Sequence, residues 1–243
     1  MKIEELIWDS NFFNLKIGKC IIHDDNEFDL YTFKKNAEIE KYDLIYIFKH
    51  NSLFKKNIVF NLNLDLIDIA VEMSKEFSSE SIDKRPFELK NTLTDKELAE
   101  TYLIAEQTSI VSRFHKESMI ASSLTKKLYR AWIDNSLNRS FSDGLFIEKI
   151  DDTVVGIHVI KTDLDNKTGY FSLTGVRSDI KRKGIGGKLW NQSFQYWAEQ
   201  NIIEKVRSPL SLQNKESLNF HLKMGFNRIE NISYVYHYRK LNK

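Results

Sequence analysis

Val176-Arg177-Ser178-Asp179-Ile180-Lys181-Arg182-Lys183-Gly184-Ile185-Gly186-Gly187-Lys188-Leu189 is the stretch on which the fold turns. An apolar strand end runs into a basic, glycine-rich turn, and the turn opens directly into a helical spacing pattern. Such a turn presents several backbone amides beside the positive end of a helix dipole, an arrangement that binds phosphate. Lys181, Arg182, Lys183 and Lys188 add charge of the matching sign. Glycine is otherwise scarce. The chain has 9, and 5 of them (Gly169, Gly175, Gly184, Gly186, Gly187) lie in this stretch or just before it, so backbone geometry is under special demand here.

Two phosphate-binding loops fail on spacing. A Walker A loop needs glycine at position 182 and Ser or Thr at position 189, where the chain has Arg182 and Leu189. A dinucleotide fingerprint starting at Gly184-Ile185-Gly186 needs a third glycine where Leu189 stands, and an early repeated strand-helix-strand unit that is missing.

Working outward, Leu145–Ile150, Thr153–Thr162 and Gly169–Val176 read as three strands joined by polar turns, an antiparallel meander. Before them, Thr94-Asp95-Lys96-Glu97 is a capping box that starts a helix running to about Gln107. A second helix, Leu124–Asn138, carries Leu128, Trp132 and Ile133 on one face. After the glycine-rich turn, a helix runs to Gln200, followed by a strand near 204–212. Another helix starts at the N-cap Asn214 and stops at Gly225. A last strand covers Ser233–Arg239.

The first 80 residues read as a smaller unit. Trp8–Asn14 is aromatic and turn-rich, Lys16–Ile22 is a strand, and Asn26–Glu40 is helical with Phe28, Leu30, Phe33 and Ala37 on one face. Tyr42–Phe48 and Asn57–Val71 read as strands. Residues 81–93 are polar, contain Pro86, and read as the linker to a second domain over 94–243. The expected class is α/β (α+β).

The 243 residues are 42% hydrophobic and 29% charged, enough apolar material for a sizeable core. Thirty-six basic against 34 acidic residues give a net charge of +2, which argues against a nucleic-acid partner. The single cysteine, Cys20, excludes an internal disulfide and an all-cysteine metal site. No His/Asp/Glu cluster has metal-ligand spacing, so no metal is expected. Met1-Lys2-Ile3-Glu4-Glu5 lacks a signal-peptide pattern and no apolar run is long enough to span a membrane. The expectation is a cytoplasmic protein with no membrane partner.

Over 94–243 the element order resembles the GCN5-related N-acetyltransferase (GNAT) superfamily. Its coenzyme A pyrophosphate loop reads Gln/Arg-x-x-Gly-x-Gly/Ala. Here the loop is Lys181-Arg182-Lys183-Gly184-Ile185-Gly186, which departs only in its first position. Its last helix commonly reads Asn-x-x-Ala-x-x-x-Tyr-x-x-x-Gly-Phe. Asn214, Gly225 and Phe226 match that pattern, Ser217 replaces Ala, and His221 stands in the Tyr position. The opening Leu6–Phe13, the stretches Ser112–His115 and Leu128–Asn135, and the terminal Tyr234–Arg239 also resemble the dTDP-fucosamine acetyltransferases. Those enzymes acetylate the 4-amino group of dTDP-4-amino-4,6-dideoxygalactose.

The resemblance implies a GNAT fold in the C-terminal domain, preceded by a truncated α/β domain of related topology. It implies direct acetyl transfer from acetyl-CoA to the amine of a nucleotide-linked amino sugar for surface polysaccharide, and a homodimer. The expected acetyl-CoA contacts are Leu173, Gly175, Val176, the loop Lys181, Arg182, Lys183, Gly184, Ile185, Gly186 and Gly187, and Asn214. Gly175 would permit a strand splay that frees amides for the thioester oxygen, or would mark a simple bulge. His221 could carry the proton, although imidazole is no direct replacement for phenol; Tyr234, Tyr236 or Tyr238 could supply the acid instead. Arg113 suits a sugar-nucleotide phosphate, because guanidinium binds phosphate bidentately. Phe114 and His115 lie in the same acceptor loop, and Trp8 and Phe12 are candidates to stack on the acceptor. An N-acetyltransferase for another small amine, or a non-catalytic coenzyme A-binding module, are the alternatives.

Overall fold

The computed structural model describes residues 2–24, 28–39, 41–78 and 86–240. The elements run β1 (Glu4–Glu5), α1 (Ile7–Phe13), β2 (Ile17–Ile22), α2 (Leu30–Ile39), β3 (Leu44–His50), α3 (Lys56–Leu62), β4 (Asp65–Glu76), α4 (Asp95–Ser109), α5 (Ser122–Leu137), β5 (Gly144–Ile150), β6 (Thr153–Asp163), β7 (Thr168–Val176), α6 (Ile185–Gln200), β8 (Lys205–Ser211), α7 (Lys215–Lys223) and β9 (Arg228–Arg239). They form two compact units. One comprises Met1–Glu72, Leu210–Leu218 and Ile229–Lys243, and the other Met73–Pro209 and Asn219–Arg228. The expected linker lies partly outside the described residues, and the units interleave along the chain. The reason is strand pairing: β9 pairs antiparallel with β3 from Leu44↔Arg239 to His50↔Ser233, which carries the last strand into the first unit.

In the first unit β2 and β3 are parallel, with α2 as the crossover between them. Phe33 and Ala37 of α2 bury against Ile45, Ile47 and Tyr236. Two expectations need correction. Trp8–Asn14 is mostly helix, closed by Asn14 in the left-handed conformation at φ 53°. Asn57–Leu62, rich in Ile and Val, is also helical: Asn63 ends it at φ 48°, its amide bonded to the carbonyls of Phe60 and Val59. Ile58 and Val59 pack on the core from that helix, so packing and a left-handed cap override strand propensity.

In the second unit the capping box is present in full: Thr94 accepts from the Glu97 amide, and Glu97 accepts from the Thr94 amide. β5, β6 and β7 form the expected meander, and β7 continues into a parallel pairing with β8. Helix α6 lies across this sheet with Ile185, Leu189, Trp190, Phe194 and Trp197 buried. Two glycines let it approach. A Cβ at Gly169 would sit 2.6 Å from the Trp197 ring, and one at Gly156 would sit 2.6 Å from Ile185. Trp190 and Trp197 anchor this core, and truncation of either to Ala costs about 3–5 kcal/mol.

Candidate functional site

The glycine-rich turn joins β7 to α6. Arg177 starts it, with its guanidinium bonded twice to Asp179 at 2.7 and 3.0 Å. A single 3-10 turn, Ser178–Ile180, follows. Arg182 is then left-handed at φ 67°, and Gly184 is left-handed at φ 81° as the N-cap of α6. Only glycine adopts that N-cap conformation without strain. No side chain caps α6, so its first-turn amides keep their donor capacity for a ligand.

The space is there as well. Nothing lies within 4 Å of a Cβ placed on Gly184 or Gly187, whereas one on Gly186 would meet the Phe220 ring at 3.1 Å. A cleft of about 460 Å³ beside the turn is lined in part by Gly184, Gly187, Lys188 and Asn191. Lys181, Arg182 and Lys183 are exposed, and Lys188 pairs with Glu148 at 3.1 Å. Free amides, a positive dipole end, open space and basic side chains together fit a pyrophosphate.

The strand leading to the turn is bent. In the β6–β7 ladder Val159 pairs with Leu173 and Ile160 with Phe171, which leaves Ser172 as the extra residue of a bulge. The β7–β8 pairing covers only Thr168–Tyr170 against Lys205–Arg207. Beyond the bulge, Leu173–Val176 has no ladder with β8. Gly175 lies in this segment, and a Cβ there would sit 2.7 Å from Thr108 Oγ1 and 2.8 Å from Ile104, so the missing side chain lets α4 pack onto β7.

One buried histidine borders this segment, and a second packs against the same Trp190 ring. His158 Nδ1 lies 2.9 Å from Thr174 Oγ1 and 3.3 Å from the Leu173 carbonyl, and Trp190 Nε1–H donates to the same threonine oxygen at 3.0 Å. Burial pushes the His158 imidazole down to about 3, with a further lowering from His221, so it stays neutral. His221 is 4% exposed. Its Nε2 lies 2.7 Å from Ser208 Oγ, and the rings of Trp190 and Phe226 stand edge-on to it at 4.8 and 5.3 Å. Asn214 caps α7 by accepting from the Ser217 amide at 3.1 Å.

The other candidates are spread over both units. Arg113, Phe114 and His115 follow α4 in the second unit. The Arg113 guanidinium stands 4.4 Å from the Phe114 ring centre, Phe114 is buried against Trp132, and the His115 amide donates to Ser112 Oγ. Trp8 and Phe12 stack at 5.0 Å in the first unit, with Trp8 46% exposed. Tyr236 is buried in that unit's core, its hydroxyl accepting from the Phe54 amide at 3.3 Å, and Tyr234 packs against the same core. Burial of Tyr236 raises its phenol further.

Residues 95–226 match the acetyltransferase (GNAT) family. The chain belongs to that family. No curated protein matches it. Among solved structures, a conserved protein of unknown function from Staphylococcus epidermidis is 13% identical, with the match covering 93% of this chain and 84% of that one at a TM-score of 0.60. A GCN5-related N-acetyltransferase from Kribbella flavida is 11% identical over 88% of this chain and 74% of that one, at 0.54. A GNAT-family acetyltransferase from Novosphingobium aromaticivorans is 12% identical over 82% and 75%, at 0.52. At such identities these likenesses show the shared fold. As a GNAT member the chain is an acetyl-CoA-dependent N-acetyltransferase with sites for acetyl-CoA and an amine. Among the described residues no group of three or more His, Cys, Asp or Glu could hold a metal ion, and no helix is long and apolar enough to cross a membrane.

Sequence reasoning missed Ser172, Thr174, Phe220 and Ser208. A bulge and a side-chain partner are properties of strand register, and nothing local in the sequence marks them.

Proposed function

We propose that this acetyltransferase moves the acetyl group of acetyl-CoA to the primary amine of a nucleotide-linked amino sugar. The acceptor is of the dTDP-4-amino-4,6-dideoxyhexose type, destined for surface polysaccharide, and the reaction takes place in the cytoplasm. The observation that carries this reading is the connection after α4, where the Arg113 guanidinium is held over the Phe114 ring. An arginine fixed in this way is pre-organised for a phosphate. The resemblance of residues 6–13, 112–115, 128–135 and 234–239 to nucleotide-sugar enzymes points the same way, and Trp8 and Phe12 belong to the acceptor side of that reading. A homodimer goes with it.

The amides of Arg182–Gly187 hold the donor pyrophosphate. Amides of Leu173–Val176, released from β8, stabilise the thioester oxygen as it gains charge. Asn214 caps its helix and approaches the donor. The amine attacks the thioester carbonyl, the carbon–sulfur bond breaks, and the proton lost by the amine ends on the sulfur. His221 carries that proton.

The test is thiol release from acetyl-CoA against dTDP- and UDP-linked 3-amino and 4-amino sugars, spermidine, amino acids and kanamycin. Turnover confined to one nucleotide amino sugar names the acceptor. Turnover only with free amines discards the sugar. Coenzyme A binding with no turnover of any amine replaces the enzyme by a regulatory module.

A further inference from the structure

Helix α4 approaches the Leu173–Val176 segment more closely than a side chain at its centre would allow. The Arg177 amide donates to the Val155 carbonyl at 2.9 Å, and Gly175 pairs with Ile157. In an antiparallel ladder the amides of alternate residues point to the same side. Those of Gly175 and Arg177 therefore face β6, and those of Thr174 and Val176 face the opening towards β8. Side chains alternate as well. Thr174 faces α6, where its hydroxyl oxygen meets Trp190 and His158, and position 175 faces α4. A Cβ there would meet Thr108 Oγ1 at 2.7 Å and Ile104 Cγ2 at 2.8 Å, so these two side chains fill the α4 side down to the strand backbone.

That wall is fixed at both ends. Glu100 accepts from the Val154 amide at 2.8 Å, and Gln107 accepts from the Ser178 amide at 3.3 Å. The two lie about two turns apart along α4, with Ile104 between them, 1% exposed. The Thr108 hydroxyl donates to the Ile104 carbonyl at 2.9 Å, a bond spent within the helix, so Thr108 offers shape here and no proton chemistry. A thioester oxygen held by the Thr174 and Val176 amides would place its acyl carbons beside Gly175, against Ile104 and Thr108. Close packing of this kind resists even one added methylene.

We infer that Ile104 and Thr108 set the length of the acyl chain: they leave room for acetyl and exclude butyryl and longer chains. The inference rests on Leu173–Val176 as the seat of the thioester. It makes α4 a specificity element for the donor, whichever amine is the acceptor. A pocket fitted to one chain discriminates by roughly 10–200-fold per methylene.

The test is calorimetric titration of the full-length protein with acetyl-CoA and butyryl-CoA, which needs no amine. Wild type should bind butyryl-CoA at least ~10-fold more weakly than acetyl-CoA. Ile104→Ala and Thr108→Ala take atoms out of the wall and should each narrow that ratio, Ile104→Ala to within about threefold. Equal affinities in wild type overturn the inference, and so does a preference for acetyl-CoA that neither substitution narrows. Thr108 is only half-buried, so Thr108→Ala carries the test should Ile104→Ala fail to fold. Infrared spectra of bound acetyl-CoA, labelled with ¹³C at the thioester carbonyl, separate this inference from the reading beneath it. A carbonyl held by backbone amides stretches at lower frequency than one in water-free surroundings without donors. A stretch showing no such lowering takes the thioester away from Leu173–Val176, and the inference with it. A lowered stretch without acyl selectivity sinks only the role of Ile104 and Thr108.

Discussion

His158 and Thr174 face each other across the β6–β7 ladder, with the imidazole Nδ1 2.9 Å from the threonine oxygen. Trp190 of α6 donates to that same oxygen. The fully buried imidazole thus ties β6, β7 and α6 together directly behind Leu173–Val176. It also makes the fold acid-sensitive. Its folded value of about 3 lies below the ordinary 6.5, so the unfolded chain binds a proton that the folded chain refuses. The stabilisation is complete above about pH 6.5 and is lost as pH falls from there towards 3. At pH 5 the loss is about 2 kcal/mol. Urea unfolding at pH 8 and pH 5 measures it, with His158→Asn as the non-titrating reference. The wild type should lose about 2 kcal/mol more than the variant over that interval. Parallel losses in the two proteins would remove His158 from the account.

At the start of α6, stability and ligand binding can be pulled apart. Gly187 is in the first helical turn, and a Cβ there meets nothing within 4 Å. A carboxylate near a helix N-terminus is stabilising by about 0.3–1 kcal/mol. Gly187→Asp should therefore keep or raise the melting temperature. The same charge competes with a pyrophosphate for the same amides, and a penalty of about 1.4 kcal/mol already means tenfold weaker binding. Calorimetry with acetyl-CoA should show that loss or more. Gly186→Glu, which also crowds Phe220, should abolish binding. Acetyl-CoA affinity unchanged in both variants would take the pyrophosphate away from this turn.

Much of the second unit was legible because its signals are local. The capping box Thr94/Glu97, the polar turns of the meander, the Gly184 turn and the Asn214 and Gly225 caps each act within a few residues, and each appears where expected. The first unit was less legible. Its short helices α1 and α3 end on left-handed asparagines, Asn14 and Asn63, and asparagine marks turns as readily as helix ends. The destination of β9 was invisible from sequence, since its partner β3 lies some 190 residues away along the chain. The same limit hid the Ser172 bulge and the close approach of α4 at Gly175.

The packing of α4 on Gly175 can be checked by coupling. A Cβ at position 175 collides with Thr108 Oγ1 at 2.7 Å and with Ile104 at 2.8 Å. Gly175→Ala should destabilise by about 1–3 kcal/mol, the usual cost of overpacking. Removing the hydroxyl with Thr108→Ala should return part of that, so the double variant is more stable than the sum of the single effects predicts. Strictly additive melting shifts would mean that α4 does not press on this glycine.

Tyr236 and His221 compete for the proton-transfer role, and the two positions predict opposite outcomes. The Tyr236 hydroxyl accepts from the Phe54 amide inside the first unit's core, where a lost hydrogen bond costs about 1 kcal/mol. Tyr236→Phe should lower stability by about that amount and leave kcat within twofold. His221→Phe keeps the aromatic packing but takes the imidazole partner from the buried Ser208 hydroxyl, and should cost about 1–3 kcal/mol of stability. It should cut turnover by roughly 10²–10⁴ with coenzyme A affinity nearly unchanged. Stopped assays on both variants, normalised to folded protein, separate the cases. A hundredfold loss in Tyr236→Phe would move the acid to β9, and a change under threefold in His221→Phe would return the imidazole to packing.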